Sequence, residues 1–217
     1  MSDTQIVPTI LTGDPEEYKK LVGMYQPFAK RVQVDIADGT FAPNLTIPVN
    51  NVWWPEGWQV DVHMMVVRPS EHLPIILQLK PSLCIFHAET GEDLLPMFEQ
   101  LKAAGIKAGV ALMKPTFPGE YKQFIEAADH VLVFAGDIGK QGSKADMLQT
   151  EKVALIKAIN DKAEIGWDGG ANLQTTRAIA HAGFDVINVG SALSQAQDPS
   201  AMYEALVAEI DKRGVVL

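Results

Sequence analysis

Apolar and polar residues alternate through Val32-Gln33-Val34-Asp35-Ile36, and the chain then turns Gly-, Pro- and Asn-rich from Asp38 to Asn51. Period two marks a strand whose faces meet different surroundings, and here it puts Gln33 and Asp35 on one face. Short apolar runs bounded by turn residues predict strands at Ile6–Leu11, Arg31–Ile36, Gln59–Met65, Leu83–His87, Lys107–Leu112, His130–Phe134, Ala163–Trp167 and Val186–Val189. Between them the spacing predicts helices. Asp14 caps one that Pro15 starts and that runs to about Tyr25. Others span Pro69–Leu79, Glu92–Ala104 with Gly105 past its end, Glu120–Ala128, Lys144–Ile159, Leu173–Ala182 and Pro199–Lys212. Val52-Trp53-Trp54-Pro55 leaves little room for a helix after the second strand, so the tryptophans are expected to plug that gap.

Strand–helix alternation of this kind predicts an α/β fold with a parallel sheet, and eight strands in this length predict closure into a single (β/α)8 TIM barrel over residues 1–217. An open doubly wound sheet usually carries a glycine fingerprint after its first strand, and Pro8-Thr9-Ile10-Leu11-Thr12-Gly13 has none.

Composition narrows the function classes. The 217 residues are 47% hydrophobic, enough for a sizeable core, and no apolar run approaches a membrane span. Residues 1–12 lack the pattern of a signal peptide, and Cys84 is the sole cysteine, so a cytoplasmic setting is expected. A net charge of −9 argues against nucleic acid or an anionic membrane as partner. It leaves open a small anionic metabolite, because backbone amides bind phosphate whatever the global charge.

Barrel active sites are built at the carboxyl ends of strands. Those ends offer Gln33 and Asp35, then His63, then His87 with Glu89, and finally Asp168. Two carboxylates on separate strands suit removal of a proton from one face of a carbon and its return to the other. Asp35, Asp168 and His63 also form a nitrogen/oxygen set suited to Zn, Fe or Mn. Plainer roles stand beside these: a loop-capping carboxylate, a turn-stabilising Asp168, a hydrogen-bonded barrel histidine, a lumen amide at Gln33. His87 and Glu89 read as a structural pair, and His72, His130 and His181 as surface or edge residues. Met64 and Met65 point to opposite faces, which puts Met65 over a substrate and Met64 against helices. Gly169-Gly170, Gly190-Ser191 and the loop Gly139–Gly142 read as an anion cradle, so a small sugar phosphate is the expected substrate.

At these positions the chain resembles the ribulose-phosphate 3-epimerases over nearly its whole length. Val34-Asp35-Ile36-Ala37-Asp38-Gly39-Thr40-Phe41-Ala42-Pro43-Asn44 is similar to that family's H-x-D-x-M-D-G-x-F-V-P-N segment, and Asp61-Val62-His63-Met64-Met65-Val66 to its D-x-H-L-M-V. His87-Ala88-Glu89, Trp167-Asp168-Gly169-Gly170 and Gly190-Ser191-Ala192 resemble its H-A-E, V-D-G-G and G-S-A. The resemblance implies a barrel of the ribulose-phosphate-binding type. It implies an isomerase that inverts C3 of a ketopentose phosphate through an enediolate. Asp35 and Asp168 would transfer the protons and, with His63, ligate a divalent metal. Thr9, Met65, Gly139, Gly142, Gly169, Gly170, Gly190 and Ser191 would hold substrate or its phosphate, and a homo-oligomer is expected.

The departures bear on the metal. Gln33 stands where the family has a histidine ligand, and an amide oxygen is a weaker transition-metal ligand than imidazole. Ala37 and Phe134 replace methionines, while Thr9 keeps the hydroxyl of the family's serine. Two alternatives follow: a related barrel acting without metal on another ketose phosphate, and a non-catalytic sugar-phosphate binder. Decarboxylases of similar fold carry D-x-K-x-x-D, and Asp35-Ile36-Ala37-Asp38 has no such lysine.

Overall fold

The structure, a computed structural model, describes residues 4–138 and 142–212. Its strands are β1 Gln5–Ile10, β2 Arg31–Ala37, β3 Gln59–Met65, β4 Leu83–His87, β5 Lys107–Leu112, β6 His130–Phe134, β7 Glu164–Asp168 and β8 Val186–Val189. All pair in parallel in sequence order, and β8 pairs back to β1, which closes the barrel. The helices are α1 Pro15–Tyr25, α2 Pro69–Leu79, α3 Leu95–Ala103, α4 Lys122–Ala127, α5 Lys152–Ile159, α6 Thr176–His181, α7 Ser191–Ser194 and α8 Pro199–Ile210. Closure removes sheet edges, so each strand's outward face is free to bury against a helix.

Several expected helices are shorter, each for a local reason. The segment after β6 becomes helical as a 3-10 turn at Met147–Glu151 and as α5 only from Lys152. Residues before it form a loop wall, with Ala145 so close to Gly170 that a Cβ on the glycine would lie 2.2 Å from the Ala145 nitrogen. In α3 the start slips to Leu95, where the Asp93 carboxylate accepts the Leu95 N–H. Ahead of α6 a turn forms in which the Thr175 hydroxyl accepts the Asn172 N–H, the Gly170 carbonyl accepts from the Asn172 side-chain NH2 and the Thr175 hydroxyl, and the Thr176 hydroxyl donates to the Asn172 carbonyl. After β2 only a 3-10 turn, Val49–Asn51, precedes the tryptophans. Tyr18 donates to the Trp53 carbonyl at 2.7 Å and meets the Trp53 ring edge-on at 6.0 Å. Trp54 and Trp58 pack on the core, while Trp53 stays about half exposed.

Register partners in neighbouring strands share a face, so the lumen can be read in layers. At the amino end Arg31 gives both guanidinium NH groups to Glu164, at 2.8 and 2.7 Å, and its Nε to Asp61 at 2.7 Å. His130 joins the cluster through Nδ1, 2.7 Å from Glu164. This corrects the expectation of a surface or edge His130: the ring is buried, because Gly166 next to it has no side chain and leaves room. Leu83, Ile85, Ala111 and Leu132 form a small apolar plug above. The upper layer is polar, and there the candidate chemistry lies.

Candidate active site

β2 and β3 pair with Asp35 opposite His63 and Gln33 opposite Asp61, while β7 and β8 pair with Asp168 opposite Asn188. The odd-numbered side chains of β2 therefore meet the end of β7 across the lumen. Gln33 Nε2 donates to Asp35 Oδ1 at 2.9 Å and to Asp168 Oδ2 at 2.6 Å, so one amide group ties the two carboxylates together. His63 Nδ1 lies 3.0 Å from Asp35 Oδ1 and 3.7 Å from Asp168 Oδ2. Burial and the neighbouring Asp35 carboxylate push the Asp168 carboxyl up to about 7. Two like charges this close cannot both be carried cheaply in a dry site.

The cavity at the carboxyl end is lined by Thr9, Met65, Asp35, Asp168, Gly169, Gly170, Gly190 and Ser191, all named by the sequence. Gly142 lines it as well, whereas Gly139 lies outside the described residues. Gln33 and His63 sit beneath, fully buried. Met65 faces this space and Met64 the helices, as alternation requires. The Gly169-Gly170 turn has φ of +113° and +69°, and the fully buried Trp167 pins it by donating Nε1–H to the Gly169 carbonyl at 2.9 Å. Gly190 lets the backbone pass the Thr9 hydroxyl, which a Cβ there would approach to 2.7 Å.

His63 Nε2 meets His87 Nε2 at 2.9 Å, and His87 Nδ1 lies 3.3 Å from Glu89 Oε2. Thus the structural pair continues into the site. Burial pushes His87 down to about 4, so the ring is neutral. Burial alone would raise Glu89, but bonds from His87, Thr116 and the Met113 N–H outweigh it and hold the carboxyl below its ordinary value. Phe41 and Phe134 pack against His87, with centroids 4.7 and 6.1 Å away.

Among the lining residues that escaped the sequence reading is Asn188, buried on β8, whose Oδ1 has no hydrogen-bond partner among the described residues. Its signal was only a polar residue inside the apolar run Val186-Ile187-Asn188-Val189.

The profile of the ribulose-phosphate 3 epimerase family matches residues 5–194. The chain belongs to that family. Relatives at about 30% identity bear the name ribulose-phosphate 3-epimerase. The protein of Schizosaccharomyces pombe is 31% identical over 214 residues, covering 95% of this chain and 93% of its own. That of Mycobacterium tuberculosis H37Rv is 31% identical over 213 residues, covering 93% and 90%. Membership makes this family barrel an isomerase of the epimerase kind. Among solved structures, 3-hexulose-6-phosphate synthase from Salmonella typhimurium superposes with a TM-score of 0.73 at 18% identity, covering 95% of this chain and 98% of that one. Orotidine 5'-phosphate decarboxylase from Pyrococcus horikoshii gives 0.68 at 16%, covering 96% and 100%. Both share the fold.

A divalent metal fits the donor set. Asp35, His63 and Asp168 offer ligand atoms all within 4.8 Å of one another. The buried Gln33 Oε1 has no partner among the described residues, so turning the amide over would offer the cation an oxygen that is now unused. As the structure stands, Gln33 presents nitrogen to the carboxylates, which departs from a ligand role.

Proposed function

We propose that this protein inverts C3 of a ketopentose phosphate, with Asp35 and Asp168 as the two proton-transfer groups. The observation that carries the reading is their placement in one cavity, joined through Gln33 and biased in protonation. Asp35 removes the C3 proton while Asp168, raised toward neutrality, keeps a proton to return on the opposite face. In the reverse direction the two exchange roles, so the pair works whenever it holds one proton in total. The backbone at Gly170, Gly190 and Ser191, with the Thr9 hydroxyl beside it, forms the rim that would take the phosphate. Met65 covers the substrate carbons and excludes water. Asp35, His63 and Asp168 would hold a divalent cation, whose Lewis acidity lowers the cost of the enediolate at C2–C3.

The test is exchange in deuterium oxide. With ribulose 5-phosphate, the native protein should incorporate deuterium at C3, and Asp35→Asn should fold normally yet lose exchange by about 10³-fold or more. Undiminished exchange in that variant would remove Asp35 from the mechanism. The bridging amide of Gln33 favours a second reading, turnover without metal, because it already draws the two carboxylates together. Metal analysis of active protein separates the two.

A further inference from the structure

Asn188 lines the cavity, yet it has no part in the proton transfer, the cation set or the phosphate rim. It stands on β8 among Val186, Ile187 and Val189, all buried and apolar, so the packing of the strand does not call for an amide. The residue is 3% exposed, and its Oδ1 takes no hydrogen bond among the described residues. A buried acceptor left unpaired weakens a fold, and one held at the wall of a binding cavity has a bound molecule as its natural partner. The last torsion of an asparagine is soft, so the amide can turn either its oxygen or its NH2 toward that molecule.

Register decides which part of the substrate lies beside it. Asn188 pairs with Asp168 on β7 and with Val7 on β1, and it shares the lumen face of β8 with Gly190 two residues on. Asp168 is one of the two groups at C3, and Gly190 belongs to the phosphate rim. Asn188 therefore flanks the stretch of substrate between C3 and the phosphate. In a ketopentose 5-phosphate the polar group of that stretch is the C4 hydroxyl, which can both donate and accept.

We propose that Asn188 is a specificity-determining residue that hydrogen-bonds the C4 hydroxyl of the substrate, so that the site selects sugar phosphates with a hydroxyl next to the phosphate-bearing carbon. The placement of C3 and the phosphate rests on the epimerase reading, whereas the orphaned amide stands on the fold alone. Holding C4 from β8 also fixes the neighbouring carbon between Asp35 and Asp168.

Binding is measured apart from turnover with D-ribitol 5-phosphate, which has no carbonyl and cannot epimerise. Its 4-deoxy counterpart lacks the hydroxyl in question. Asn188→Leu keeps the branched shape at Cγ and removes both polar atoms. In calorimetric titrations the native protein should bind the 4-deoxy compound about 3- to 10-fold more weakly than ribitol 5-phosphate. Asn188→Leu should bind the two alike, at about the native affinity for the 4-deoxy compound, and should bind inorganic phosphate as the native protein does. Equal binding of the two compounds by the native protein overturns the proposal, as does a variant that still prefers the hydroxyl. A variant that loses inorganic phosphate in equal measure acts through the rim and overturns it too. Asn188→Val stands in if the leucine variant does not fold, and a chain that folds with neither makes the amide structural and the proposal wrong. Absence of C3 exchange in the native protein would sink the epimerase reading, while the titrations, which need no turnover, would still decide the amide contact.

Discussion

At the scale of single residues, Gln33 sets the tone of the site. A primary amide has two donors on one nitrogen, and here they go to Asp35 and Asp168 while the carbonyl oxygen is buried without a partner among the described residues. An orphan acceptor of this kind costs about 1–3 kcal/mol, so the sequence keeps it at some expense in stability. The same side chain is a poorer transition-metal ligand than imidazole. Gln33→His should therefore raise zinc affinity by about tenfold or more. Calorimetric titration checks this, and equal affinities would show that position 33 does not reach the cation. Asp35, His63 and Asp168 were legible in the sequence because charged or titratable residues at strand ends have few packing reasons to be there. Asn188 was not, since nothing local distinguishes a lumen amide facing a cavity from one satisfied by a neighbour.

At the scale of elements, the turns after the strands carry more constraint than the helices. Gly169, at φ +113°, packs so tightly on the β6–α5 connection that a Cβ would lie 2.1 Å from the Gly136 nitrogen. Gly169→Ala should cost about 2–4 kcal/mol and weaken phosphate binding, seen in a melt and in a titration with inorganic phosphate. Gly23 in α1 is the contrast, with nothing within 4 Å of its would-be Cβ and no positive φ. There Gly→Ala should stabilise by about 0.5–1 kcal/mol in the same melt. The strands were read almost to the residue, because period-two and all-apolar runs survive in any sheet. Helix starts were misread where polar residues served loops instead, as before α5 and α6.

For the whole molecule, the barrel has a structural end and a chemical end. The amino end is closed by Arg31, Asp61, His130 and Glu164, which pair with one another. Burial alone would raise Glu164, but bonds and charges from Arg31 and His130 outweigh it and hold the carboxyl far below its ordinary value. A folded-state depression contributes stability that is complete above the unfolded pKa, about 4.3, and is lost as pH falls below it. Burial raises Asp61, which works in the opposite sense and softens the slope. Glu164→Gln should lower stability by about 1–3 kcal/mol at pH 7 and flatten the loss between pH 5 and 3. Denaturant titrations across that range measure both, and a variant as acid-sensitive as the native chain would exclude Glu164 as the source.

The order of strands, the closed architecture and the three residues that meet in the candidate site follow from the linear pattern, because alternation and strand-end chemistry are local properties of the chain, and the family follows from motifs that the chain carries in order. Only the folded molecule decided that Gln33 bridges Asp35 and Asp168, that His87 and Glu89 stand behind His63, and that His130 is buried in an ion cluster. Each of those depends on which side chains from distant strands share a layer of the lumen. Register and closure set that, and no window of sequence contains it.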